Sequence, residues 1–191
     1  LGDRTPRVVT PFLPGAPHFL IIRDPRDVIV SWAHQEIKNE GFHYVSGQYE
    51  SVLGDCRRAF LTDPAFFKNN PEKLLGHERW VKQLAGRWRF HIRNDLDIIR
   101  SVRAGEVPMR IHVVRYEKIH SDPEGERERM YAFLGVRPED AEPLSEESRS
   151  KPGHGREDPH SIYRKGAVGD WERYFTPDAR TWFKEMAADT L

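Results

Sequence analysis

Three short stretches of the chain bring together cations, a hydroxyl and glycines of the kind that hold an anion. The first, IIRDPRDVIVSW, stops an apolar run at Arg23, turns through Asp24-Pro25 and restarts with helical spacing toward Ser31. The guanidinium of Arg23 offers phosphate oxygens a planar fork that an ammonium cannot. A helix opened by Pro25 adds free backbone N–H groups and the positive end of its dipole. Ser31 lies about two helical turns from that start. That is too far for the cap but within reach of a ligand lying along the helix. Ordinary capping explains the same residues, with Asp24 as cap, Arg26 and Asp27 as surface charges and Ser31 packed on a neighbour. Taken alone, the stretch leans slightly to capping.

The second stretch, Val113-Val114-Arg115-Tyr116-Glu117, ends another apolar run. In a parallel sheet Tyr116 stands at the same edge as Arg23, where its ring can flank a planar base. A ring that covers the core with its hydroxyl in water is the plainer account of that residue alone. The third, Tyr163-Arg164-Lys165-Gly166-Ala167-Val168-Gly169-Asp170-Trp171, sets two cations on a glycine-bearing backbone able to approach an anion closely. A solvated basic turn ahead of an aromatic anchor is the alternative. Charge, glycines and spacing coincide here, so this is the most specific of the three.

The elements that must position these residues follow from the pattern. His18 to Ile22 is a continuous apolar run, as in a buried strand. Asp24 and Pro25 then open a helix to about Asn39, with its buried face left open because Val28, Val30 and Trp32 mix two periods. Glu50 to Phe60 is a further helix candidate, broken by Thr62-Asp63-Pro64. Apolar residues in threes and fours from Leu74 to Ile99 predict one long helix over Glu72 to Arg103. Ile111 to Arg115 is the second strand. Pro123 starts a helix that Gly135 ends, and Thr176-Pro177-Asp178 opens the last. Pro138 to Ser148 is acidic and partly helical, and Lys151 to Gly169 is loop. His18 precedes the first strand at the wrong end of the sheet for a site at the strands' carboxyl ends. Strands each followed by a helix predict an α/β fold with a parallel sheet flanked by helices on both faces.

Composition narrows the class. The chain has 191 residues, 30 basic and 30 acidic, so a general nucleic-acid binder is not expected. One cysteine, Cys56, can form no intrachain disulfide. No apolar run approaches a membrane span and no signal peptide opens the chain. No histidine spacing suits a metal, and Gly153-His154-Gly155 is no dinucleotide fingerprint. Leu1 and Leu191 both look like cut ends, which predicts a piece of a longer protein.

Together, IIRDPRDVIVSW, VVRYEKIHSDPEGERERMYAFLGV and REDPHSIYRKGAVGDWERYFTPDARTWF resemble the sulfotransferases that use 3′-phosphoadenosine 5′-phosphosulfate (PAPS). The resemblance runs in order from about Phe19 to the C-terminus, includes Trp88-Arg89-Phe90-His91 as a Trp-x-x-His segment, and is poor over residues 35 to 85. It implies a P-loop-NTPase-like parallel sheet and a single, truncated domain over residues 1–191, the N-terminal strand-loop-helix unit being missing. It implies transfer of a sulfuryl group from PAPS to the hydroxyl of a small molecule or carbohydrate, with adenosine 3′,5′-bisphosphate as product. Arg23 and Ser31 match the pair that holds the 3′-phosphate, Arg164, Lys165 and Gly166 the loop that closes over it, and Tyr116 the adenine wall. A cytoplasmic location is expected, with a Golgi-anchored parent as the other branch.

The departures from the family pattern are definite. No glycine is followed by lysine, so the 5′-phosphosulfate loop of the usual form is absent. Where the family's catalytic His is expected, two registers place Phe12 or Arg4, neither a general base near neutral pH. The catalytic base is therefore unassigned, and a catalytically inactive nucleotide- or partner-binding remnant is the rival reading. A P-loop kinase is a third, opposed by the missing Walker lysine and by the Arg-Lys-Gly-x-x-Gly-Asp-Trp loop. The acceptor wall is expected in the variable stretch with Phe42, Tyr44, Tyr49, Phe60, Phe66 and Phe67, although aromatic residues so spaced are commonly core.

Overall fold

The computed structural model describes residues 15–38, 46–141, 165–188 and 190. The chain divides into two compact units, Leu1–Arg23 with Phe90–Leu144, and Asp24–Arg89 with Ser145–Leu191.

The first unit is built on strand β1 (Pro17–Ile22) and strand β2 (Arg110–Arg115), which pair in parallel with Ile22 opposite Arg115. β1 alternates between exposed and half-buried positions instead of being buried throughout, and Ile21 is 60% exposed. The cause is that β1 pairs with β2 alone among the described residues, so much of its surface lacks cover. Helices flank this small sheet: α5 (Tyr116–Ser121) follows β2 directly and α6 (Pro123–Leu134) packs back on the strand. Phe133 of α6 stacks on His112 of β2, with ring centroids 5.3 Å apart. Asp122 caps α6 by accepting from the Gly125 N–H at 3.1 Å, and Gly135 ends it at φ 74°. The Arg129 guanidinium, followed by the Gly125 N–H, holds the Asp122 carboxyl below its ordinary range. That cap is complete above the usual Asp range and is lost as pH falls below it.

The second unit is helical. It contains α1 (Pro25–Lys38), α2 (Ser46–Thr62), the single turn α3 (Phe66–Asn69), the start of α4 (Glu78–Arg103) and α7 (Pro177–Ala187). The helix predicted from Glu72 begins at Glu78. Pro71–Lys73 forms a separate 3-10 turn, and the fully buried Leu74 and Leu75 lie in the break after it. Their burial comes from the turn, whereas Trp80, Val81, Leu84 and Trp88 form one buried face of α4. On α1 the buried residues Ile29, Val30, Ala33, His34 and Ile37 recur in threes and fours, which settles the face that the sequence left open. His34 Nδ1 donates to the Val30 carbonyl oxygen (2.9 Å), and its ring meets those of Phe60, Phe67 and Tyr174 edge to face. It is a core histidine.

The Thr176 hydroxyl accepts from the Ala179 N–H at 3.1 Å and opens α7. Thr176→Ala is expected to lower stability by about 1 kcal/mol in urea denaturation, and an unchanged midpoint would remove the cap from the account of this helix.

Candidate active site

The carboxyl ends of β1 and β2 lie side by side, so the register that pairs Ile22 with Arg115 also brings Arg23 level with Tyr116. The Arg23 guanidinium lies 4.5 Å from the centroid of the Tyr116 ring. Tyr116 is the first residue of α5, so its side chain is carried by the turn that closes the strand. A cation resting on an aromatic face is desolvated on one side and oriented for planar, two-point contact with an anion. The two residues that the sequence set at one sheet edge are thus in contact within the first unit. His18 lies inside β1 rather than before it, opposite Ile111, and at the amino end of the strand.

In the second unit the start of α1 brings together three charged residues, Asp24 just before the helix and Arg26 and Asp27 in its first turn. Asp24 Oδ1 accepts from the Arg26 backbone N–H at 2.9 Å, as a helix cap. The same carboxylate takes the Arg26 side chain, Nε at 2.9 Å and Nη2 at 2.5 Å. That hydrogen bond to Asp24 is the main cause holding the Arg26 guanidinium above its ordinary pKa, against the opposing effect of burial. Arg26 in turn lies 3.6 Å from the centroid of Trp171. Asp24 as a cap agrees with the sequence, but Arg26 and Asp27 are not simple surface charges.

Asp27 is 2% exposed. Its Oδ2 accepts from the Gly169 N–H at 2.8 Å and its Oδ1 from the Trp171 N–H at 2.9 Å. The loop that carries Lys165 and Gly166 is therefore tied to the start of α1 through its own backbone. Gly166 and Gly169 have φ of 66° and 80°, left-handed values that favour glycine. A Cβ on Gly169 would meet no described atom within 4 Å, so φ rather than space dictates that residue. Lys165 Nζ donates to Asp170 Oδ1 at 2.8 Å. Sequence reasoning did not find Asp27, because its partners lie more than a hundred residues away and no local pattern signals them.

Of the remaining expected residues, Ser31 is half-buried in α1, and Arg164 lies outside the described residues. So do Arg4 and Phe12, the Gly153-His154-Gly155 segment, Phe42, Tyr44 and the side chain of Tyr49. Phe60 and Phe67 do not form an exposed acceptor wall: both are buried and 5.3 Å apart in the core around His34. Trp88 of the Trp-x-x-His segment is buried against Phe183 of α7. Among the described residues no helix is long and apolar enough to cross a membrane, and no three His, Cys, Asp or Glu side chains are grouped to hold a metal.

The described residues thus form an α/β chain with a guanidinium and an aromatic ring at its strand ends and, in the second unit, a lysine-glycine loop fixed to its first helix. The chain belongs to the sulfotransferase domain family, whose model matches residues 18–191. No curated protein and no solved structure matches it. Family membership supports a transferase that moves a sulfuryl group.

Proposed function

We propose that the chain acts on PAPS, transferring its sulfuryl group to the hydroxyl of a small-molecule or carbohydrate acceptor and releasing adenosine 3′,5′-bisphosphate. The observation that carries the reading is the Arg23 guanidinium held over the Tyr116 ring at the carboxyl ends of two parallel strands, in a chain of this family. A small parallel sheet ending in a phosphate site is also the plan of the P-loop-like nucleotide-binding folds, to which we assign this domain over residues 1–191.

The available groups fit such a donor. A 3′-phosphate carries up to two negative charges and leaves water only against several charge-assisted bonds. Arg23 supplies the fork, Ser31 a hydroxyl, and Arg164 with Lys165 two further cations. Gly166, at a left-handed φ, lets the loop backbone approach the anion closely. Tyr116 lines the adenine. When bound, PAPS supplies the activated sulfur, which the acceptor oxygen attacks in line while the acceptor proton passes to a base. The residues named here bind and orient the nucleotide half of the donor.

Isothermal titration tests the reading. Adenosine 3′,5′-bisphosphate is expected to bind more tightly than adenosine 5′-monophosphate, because only the former carries the group that the cations would hold. Equal affinities, or no binding of either, would overturn it.

A further inference from the structure

We propose that Asp27 is a positioning residue of the donor site, holding the Lys165-Gly166 loop, through the backbone N–H groups of Gly169 and Trp171, in the form that receives the 3′-phosphate. The inference rests on the reading above and adds to it a residue outside the set that would touch the donor.

The argument starts from cost. A carboxylate that is 2% exposed is tolerated only if its charge is satisfied. The first turn of a helix is a favourable place for it, since the dipole end there is positive. Yet the N–H groups that Asp27 accepts from are not those of its own helix. They belong to residues 142 and 144 positions away, and each takes a separate oxygen. The bond pair is therefore tertiary and fixes a loop, not a cap.

What it fixes is specific. The two bonded residues flank Asp170, and Asp170 Oδ1 accepts from Lys165 Nζ at 2.8 Å. Asp27 thus sets the backbone on either side of Asp170, and Asp170 sets the ammonium of Lys165. That ammonium has three protons, and the bond to Asp170 uses one while aiming the others. Arg26 reinforces the arrangement from the adjacent position by lying on the Trp171 ring, so neighbouring residues of α1 hold both the ring and the N–H of Trp171. Gly169, at φ 80°, supplies the turn that lets its own N–H and that of Trp171 converge on one carboxylate.

The test is titration of the full chain with adenosine 3′,5′-bisphosphate and adenosine 5′-monophosphate, comparing wild type with Asp27→Asn and Asp27→Glu. In Asp27→Asn an amide NH2 replaces one acceptor and faces an N–H donor. The bisphosphate is expected to bind about tenfold more weakly, with the monophosphate unchanged, so that the preference for the 3′-phosphate shrinks by the same factor. Asp27→Glu keeps both oxygens and is expected to recover part of that preference. A merely structural role would weaken both ligands together; that result, or an undiminished preference in Asp27→Asn, overturns the inference alone. A wild type without preference overturns the reading of the site, and the inference with it. Should the variants not fold, amide hydrogen exchange of the wild type decides. The bisphosphate, but not the monophosphate, is expected to slow exchange at Gly169 and Trp171, and equal rates overturn the proposal.

Discussion

Arg23→Ala is expected to weaken binding of adenosine 3′,5′-bisphosphate by roughly ten- to hundredfold, the equivalent of losing one charge-assisted bond of about 1.5–3 kcal/mol. The effect should be confined to the ligand that carries the 3′-phosphate. Arg23→Lys should restore little, since an ammonium cannot present two coplanar donors and loses the stacking of a flat cation on the Tyr116 ring, now at 4.5 Å. Tyr116→Phe keeps the ring under the guanidinium and should leave affinity nearly intact. Titration of the three variants separates charge from shape: if Arg23→Lys binds as the wild type does, Arg23 acts as a point charge only. If Arg23→Ala costs both nucleotides equally, the residue holds the fold of the sheet edge and not the phosphate.

The parts of this site that the sequence disclosed are those whose cause is local. Asp24-Pro25 starts a helix because a side-chain acceptor and a fixed φ act within a few residues, and Gly135 stops one because its φ of 74° favours glycine. The level placement of Arg23 and Tyr116 followed from two apolar runs being parallel, which a helix after each run implied. The roles that the family resemblance gave to Arg23, Ser31, Tyr116, Arg164, Lys165 and Gly166 are a different matter, and rest on the titrations described above. The sequence hid what depends on distant partners. Asp27 looks like any acidic residue in a first turn, and only the return of the chain at Gly169 and Trp171 makes it a buried anchor. Phe60 and Phe67 have the spacing of either a wall or a core, and packing around His34 decides for the core. The long apolar pattern from Leu74 runs through a break, because buried residues in a turn and buried residues on a helix face can keep the same spacing.

Trp80→Ala is expected to be the most destabilising single change in the second unit, at about 3–5 kcal/mol. Trp80 is 1% exposed and opens the buried face of α4 that continues through Val81, Leu84 and Trp88. Leu74 and Leu75, both fully buried in the preceding break, belong to the same core. Removing the indole takes away the largest fully buried side chain among the described residues of the unit and leaves a cavity that its neighbours fill only in part. Domains of this size hold only about 5–15 kcal/mol in all, so the variant should lose a large share of its stability. Trp80→Phe retains much of the volume and should cost distinctly less. Urea denaturation followed by circular dichroism measures both. A Trp80→Ala loss below about 1 kcal/mol, within the range of ordinary surface changes, would mean that the buried face of α4 is not a principal support of this unit. Because Asp27 lies on α1 in this same unit, a destabilised core should weaken apparent binding of both nucleotides together by lowering the folded fraction, while leaving the preference for the 3′-phosphate unchanged. That links the packing of a buried tryptophan to the apparent donor affinity proposed for a loop it does not form.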